Sequence, residues 1–378
     1  MSWPEMPFEE LYACPSRNGL TRPARVRGSG FKMINMGELF AHDRISSIEM
    51  ERVQLNEIEL ASMLVEPGDL LFARQSLVLA GAGKCSVVVD AEEPTTFESH
   101  LIRVRLKREL AEPRFFHYYF KSPAAGMRSI VTQGVQAGIR GSDLKRLHVR
   151  VPPRSAQERI ADILSAYDDL IENNKRRIAL LEQAERLLFR EWFVHLRFPG
   201  HEHVKVVDGV PEGWERRALT TVLELRYGKA LKESDRVEGA FPVYGSSGAV
   251  GTHKMALVEG PAIIVGRKGN VGSVYWVPTD FWPIDTVYYV PKEQADRWLF
   301  LTLPSVGFQN TDAGVPGLNR DFAYSRKVLV PPQRLRRRFD ETVQPMFEQM
   351  TTLANFNRKL AEARDLLLPR LMSGEIAV

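Results

Sequence analysis

The sequence predicts an α+β protein: two mixed α/β domains, separated by two long helices pairing as an antiparallel coiled coil, in a pseudo-twofold duplicated chain. Three observations predict it. A domain-sized repeat runs through the chain, a heptad seam follows each copy, and 378 residues accommodate two or three domains of roughly 100 to 200 residues each.

The repeat comes first along the chain. Gly138-Ile139 followed by Val151-Pro152-Pro153 recurs as Gly317-Leu318 followed by Val330-Pro331-Pro332, displaced by 179 residues. Upstream, Gly68-Asp69-Leu70-Leu71-Phe72-Ala73-Arg74 has its counterpart in Gly260-Pro261-Ala262-Ile263-Ile264-Val265-Gly266-Arg267, an apolar strand ending in Arg and a glycine-rich turn. Trp3 and Trp214 stand near the start of each copy. From Trp to the first Pro the copies span 149 and 117 residues, so the first carries about 32 more, placed in surface loops. A period this long excludes a solenoid. Runs such as Ser86-Val87-Val88-Val89 and Val274-Tyr275-Trp276-Val277 between Gly and Pro read as mixed sheet. The expected boundaries are 1–154 and 196–332 for the domains, 155–195 and 333–378 for the helices.

The first helix carries a 4-3 seam at Ile160, Leu164, Tyr167, Ile171, Asn174, Ile178, Leu181, Glu185, Leu188 and Trp192. The second has Phe339, Val343, Met346, Met350, Leu353, Asn357, Leu360, Arg364, Leu367 and Leu371. Each reads as about 33 residues, roughly 50 Å of helix at ~1.5 Å per residue. Pro345 removes an N–H early in the second, so that helix is expected to begin late or to bend there. Chain connection requires antiparallel helices. Matching the two polar seam residues sets Asn174 against Asn357, Tyr167 by Arg364, Ile160 by Leu371 and Trp192 by Phe339. A buried amide pair penalises slipped registers; the competing reading leaves both amides solvated.

Composition narrows function. The net charge of +4 permits a polyanionic partner only through a local patch. Two cysteines, Cys14 and Cys85, form no disulfide framework and suit a reducing cytoplasm. No apolar run approaches the ~18 residues of a membrane span, and no signal peptide is read at the N-terminus. Amino-methyl transfer onto adenine or cytosine needs Asp or Asn before a Pro-Pro pair, where this chain has Val151 and Val330. Ala80-Gly81-Ala82-Gly83-Lys84-Cys85 resembles the end of a phosphate-binding loop, but Val78 and Cys85 break the pattern. His195, His201 and His203 lie in a connector and read as solvated rather than metal-bound. No catalytic residue and no metal site is expected, and the chain reads as a non-enzyme.

The residues carry a family resemblance. Val-Pro-Pro closes each domain before a long helix, and the first helix continues Gln157-Glu158-Arg159-Ile160-Ala161-Asp162-Ile163-Leu164 and ends Leu188-Phe189-Arg190-Glu191-Trp192-Phe193-Val194. With Tyr244-Gly245-Ser246-Ser247-Gly248 in the second copy, this resembles the DNA specificity subunit of type I restriction-modification systems. The second helix departs, with Gln333-Arg334-Leu335-Arg336 in place of the Gln-Glu pair. The resemblance implies two target recognition domains, each reading half of a gapped DNA target, with helices as spacer. It also implies two modification and two restriction subunits as separate partners, which use S-adenosylmethionine, ATP and Mg, while this chain binds no cofactor. Alternatives are the recognition chain of a type IIB-like system and a coiled-coil scaffold that does not touch DNA.

Two readers on one face of a duplex stand about one turn apart, roughly 34 to 36 Å. Base reading calls for Arg, Asn, Gln, Ser, Lys and Tyr in loops. The candidates are Arg74, Gln75, Ser76, Lys84, Gln136 and Arg140 in the first domain, and Lys229, Tyr244, Ser246, Ser247, Arg267, Lys268, Asn270, Asn319 and Arg320 in the second. Against this stand ordinary ion pairing for the arginines and turn formation for the serines. Lys175-Arg176-Arg177 and Arg336-Arg337-Arg338 read as solvated helix faces.

Overall fold

A computed structural model describes residues 3–133, 136–310, 317–376 and 378. The chain divides into two compact units, Met1–Asn174 with Asn355–Val378, and Lys175–Ala354. Each unit holds one domain and one half of each long helix, so the compact units divide within the helices.

The two domains repeat one topology. In the first, Leu70–Ala73 lies antiparallel between Leu101–Val104 and Cys85–Val88, with Arg17–Asn18 outside the former. In the second, Ala262–Gly266 lies antiparallel between Val287–Val290 and Val274–Val277, with Arg226–Tyr227 outside. A second sheet pairs Arg27–Ile34 antiparallel with Arg52–Val53 and parallel with Thr95–Phe97. Its counterpart pairs Phe241–Gly245 antiparallel with Gly248–His253 and parallel with Trp282–Pro283. The strands next to the Val-Pro-Pro segments repeat as well, Glu5–Pro7 with His148–Arg150 and Glu215–Ala218 with Lys327–Val330.

The unbroken apolar runs of the central strands have a cause in the pleat. Successive side chains face opposite ways, so Leu70 and Phe72 join one core while Leu71 and Ala73 join another. Ile263 and Val265 likewise separate from Ala262 and Ile264. Both faces are dry, and alternation with polar residues is lost. The extra residues of the first domain build the short helices Met36–Ala41 and Glu57–Ser62 and the strand Arg44–Ile45, and Thr132–Gln133 pairs antiparallel with Ala137–Gly138 as a hairpin.

The long helices run Arg154–Phe189 and Gln333–Met372. The second begins at Gln333, well before Pro345, which corrects the expected late start. Pro345 is exposed, and so is Glu341, whose carbonyl loses its N–H partner to the proline; water can serve it. Buried Leu335, Phe339 and Val343 hold that turn on the domain core. Every seam position of both helices is buried or half-buried.

In the first unit, Asn174 Nδ2 donates to Asn357 Oδ1 at 2.9 Å, and Asn357 Nδ2 donates to the Ile171 carbonyl at 3.3 Å. Asn174 is 5% exposed, so its amide is buried with a partner rather than solvated. Arg159 Nη2 donates to the Val378 carbonyl, and Ile160, Leu164 and Leu371 share a core, which makes these helix halves antiparallel. Arg364 pairs with Asp168 where the register set it by Tyr167: a half-buried guanidinium requires a carboxylate more than a ring. In the second unit the rings of Trp192 and Phe339 meet at 5.6 Å between centroids.

Each helix start is locked to its own domain, by different chemistry. Gln157 is fully buried; its Oε1 accepts from Glu112 N, and its Nε2 donates to the Leu110 and Pro152 carbonyls. The residue 179 positions later, Arg336, pairs with Asp296 and lies over the Trp298 ring. The departure from the Gln-Glu pattern is therefore one anchor exchanged for another, and Arg336 is not part of a solvated run.

Candidate nucleic-acid interface

The central strand of each domain ends on an arginine, and the backbone around the two arginines is the same. Arg74 N donates to the His100 carbonyl at 2.7 Å, and Ile139 N donates to the Arg74 carbonyl at 2.9 Å. Arg267 N donates to the Thr286 carbonyl at 2.9 Å, and Leu318 N to the Arg267 carbonyl at 2.8 Å. The Gly138-Ile139 and Gly317-Leu318 repeats are thus the segments that clasp these arginines. Gly138 leaves space for its neighbour: a Cβ there would sit 3.0 Å from the Arg74 carbonyl oxygen. Gln75 pairs with Gly138 in a strand ladder, and Lys268 bridges to Gly317 at the matching place.

Several loop segments around these arginines carry no carboxylate, although exposed Asp285 adjoins Arg267. Segments 74–84 and 126–142 carry Arg74, Lys84, Arg128 and Arg140 with no Asp or Glu. Segments 226–230, 244–250, 266–274 and 317–320 carry Arg226, Lys229, Arg267, Lys268 and Arg320, again with none, though Arg226 pairs with Glu224 at 2.9 Å. Each domain therefore presents a local cationic surface, of the kind that attracts a polyanion.

Side chains differ in how far they are committed. In the first domain Arg74, Gln136 and Arg140 are exposed and make no side-chain hydrogen bond or ion pair among the described residues. Gln75 Oε1 lies 3.1 Å from His100 Nδ1. Ser76 is buried, its hydroxyl accepting from Val78 N. Lys84 meets Asp43 at 3.1 Å and donates to the Phe40 carbonyl. Those two polar groups serve the fold.

In the second domain Lys229, Ser247 and Asn270 turn exposed side chains outward, and Lys268 is half-buried. Tyr244 packs edge-on against Phe281, and burial raises its phenol pKa. Ser246 is buried; its carbonyl accepts from Ser273 Oγ at 2.6 Å, so it ties two loops together. Asn319 caps the short helix Arg320–Ser325, accepting from Asp321 N and Phe322 N.

Arg267 is held in place. Its Nη1 donates to the Asp285 carbonyl at 2.9 Å, and its guanidinium lies 5.1 Å from the Tyr227 ring and 5.8 Å from that of Tyr288. Arg320 also lies 5.1 Å from the Tyr227 ring. Burial pushes the Tyr288 phenol up to about 12, with neighbouring Tyr227 acting in the same sense. Two guanidiniums sharing one ring keep their edges directed and lose less rotamer freedom on binding. Tyr227, half-exposed at 49%, was not among the sequence candidates. Only the strand pairing of Arg226–Tyr227 beside Val287–Val290 brings it to Arg267.

The other motifs fall elsewhere. Ala80–Lys84 leads into the strand Cys85–Val88 rather than a helix, and Cys85 is buried. His201 and His203 both face Glu202, and among the described residues no group of three or more His, Cys, Asp or Glu is arranged to hold a metal ion. Among those residues, no helix is long and apolar enough to cross a membrane.

Comparison with known proteins places this arrangement. Over 82% of its length the chain is 23% identical to the type I restriction enzyme MjaIX specificity subunit of Methanocaldococcus jannaschii, covering 79% of that protein. It is 22% identical to the type I restriction enzyme HindI specificity subunit of Haemophilus influenzae, across 91% of this chain and 94% of that one. The crystal structure of the type I restriction-modification system S subunit from M. genitalium shares the fold, with a TM-score of 0.60 over 98% of this chain and 96% of that one at 16% identity. The family model described as the type I restriction modification DNA specificity domain matches residues 45–183 and again 211–311, more than half of the chain, once in each copy of the repeat. The chain belongs to the family of type I restriction-modification DNA specificity subunits.

Proposed function

We propose that this chain is the sequence-reading subunit of a type I restriction-modification complex, each domain reading one half of a gapped target in double-stranded DNA. One observation carries the reading: both central strands end on an arginine fixed by the same main-chain hydrogen bonds, beside loop segments that carry basic residues and no Asp or Glu. Arg74 and Arg267 are the principal base readers, since a guanidinium fork matches the O6 and N7 acceptors of guanine. Arg140, Gln136, Lys229, Lys268, Asn270 and Arg320 supply phosphate and further base contacts. The domains differ in their loops, so the half-sites differ.

On this reading the chain performs no chemistry. Modification subunits that bind S-adenosylmethionine methylate adenine, and restriction subunits that use ATP and Mg cut unmethylated DNA. The paired helices serve as spacer between the readers, and the buried Asn174–Asn357 contact fixes their register. The site of action is the cytoplasm.

Titration of the isolated chain with DNA is the test. Binding alone is expected to be weak and to fall steeply with salt, because phosphate neutralisation releases counterions. Addition of the methyltransferase subunits should add sequence discrimination, with no methyl transfer by the isolated chain. Salt-independent binding, or methyl transfer without partners, contradicts the proposal.

A further inference from the structure

We propose that the turn Leu77-Val78-Leu79 of the first domain is an apolar reading element that packs on the C5-methyl groups of thymines in the major groove of the first half-site. This rests on the DNA-reading function proposed above and names a chemistry for one of its two readers.

The three side chains are consecutive, large and aliphatic, at 86%, 63% and 54% exposure. Scattered exposed aliphatics are ordinary, but a contiguous group of them marks an interaction site. The turn is also built rather than loose. Ser76 Oγ accepts from Val78 N at 3.2 Å, and the Val78 carbonyl accepts from Gly81 N at 3.0 Å. A Cβ on Gly81 would lie 2.3 Å from Ser76 Oγ, so only glycine allows this closure. A tip ordered beforehand pays little entropy on binding.

Its surroundings select the occupant. Arg74 stands three residues before the turn, and the strand Gln75–Ser76 pairs with the hairpin that leads through Gln136 to Arg140. Segments 74–84 and 126–142 contain no carboxylate, and Asp43, which meets Lys84, is also matched by Lys121. A protein partner for an aliphatic patch meets a rim of mixed polarity, whereas this rim is cationic. The polyanion that fits is a duplex, and the apolar group a duplex displays in its major groove is the thymine methyl. The second domain has no equivalent: the positions after Arg267 are Lys268, Gly269, Asn270, Val271 and Gly272.

The experiment uses the full chain assembled with its methyltransferase partners and duplexes bearing its own target, with thymidine or deoxyuridine in the first half-site. Removing a contacted methyl is expected to weaken binding roughly fourfold. A variant carrying Leu77→Ser and Leu79→Ser should bind the thymine duplex that much more weakly and no longer distinguish it from the uracil duplex. Equal binding of the two duplexes by the wild-type complex overturns the proposal, as does a first half-site without any A·T pair. So does a serine variant that keeps the wild-type melting temperature but fails to assemble with the methyltransferase subunits, which would make the turn a protein-docking surface. Loss of all sequence-specific binding by the wild-type complex would instead overturn the function on which the proposal rests.

Discussion

Replacing Arg267 by Ala is expected to erase discrimination at the second half-site and leave the first intact. The guanidinium is positioned by the Asp285 carbonyl and by the Tyr227 and Tyr288 rings, so it reaches the duplex with its donors already oriented. Loss of a bidentate contact to a base costs about 1–3 kcal/mol, roughly five- to 150-fold in affinity for the correct sequence. Arg267→Lys keeps the charge and loses the fork, so it should retain salt-dependent affinity without the discrimination. Arg74→Ala should give the mirror result at the first half-site. The measurement is binding of the assembled complex to duplexes in which one half-site at a time is scrambled. Equal loss at both half-sites, with an unchanged melting temperature, would contradict the assignment.

A second large effect concerns stability. Glu185 in the first long helix and Arg297 are both buried, with two short hydrogen bonds, Nε to Oε1 at 2.6 Å and Nη2 to Oε2 at 2.5 Å. Trp276, Phe300 and Phe347 each lie 4.9 Å from the Arg297 guanidinium. Rings stabilise a cation but do not accept its in-plane donors. Glu185→Ala therefore strands a buried charge and should destabilise the second unit by about 3–5 kcal/mol in urea denaturation. Replacing both partners, as Glu185→Leu with Arg297→Met, should recover most of that loss, because no charge is left unpaired. A single variant within about 1 kcal/mol of wild type, the size of an exposed pair, would contradict the account.

The same residues explain what was legible in the sequence. Helix pairing was legible because the heptad pattern is a local consequence of which face is dry, and the seam carries few polar residues that need partners. The duplication was legible where the same residues recur at a fixed spacing, as at Gly138 and Gly317, each paired with the residue that follows a strand-end arginine. The late start read from Pro345 did not hold, and the helix begins at the expected boundary, Gln333. A proline rule describes an isolated helix, while here Leu335, Phe339 and Val343 anchor the turns before Pro345.

Site residues were harder. Ser76, Lys84, Tyr244, Ser246 and Asn319 have polar groups suited to DNA, but closing turns and capping helices requires the same groups, and sequence does not say which use wins. Tyr227 and Leu77–Leu79 went unrecognised for the opposite reason. The roles proposed for them rest on exposure and on neighbours brought by sheet pairing, and Asn18 stands where the second copy has Tyr227, so the repeat does not flag it. Arg336 lay hidden in a basic run, although its pairing with Asp296 takes the place that Gln157 fills in the first copy.

The central claim is that the two domains read DNA independently, and exchange of residues 196–332 for the matching segment of another specificity subunit tests it most directly. The exchange keeps both long helices, since the first ends its winding at Val194 and the second starts at Gln333. Methylated adenines are then mapped across the genome of cells carrying the hybrid and its partner subunits. A gapped motif with one half unchanged and the other half that of the donor is the predicted result; an unchanged motif, or one altered in both halves, would contradict it.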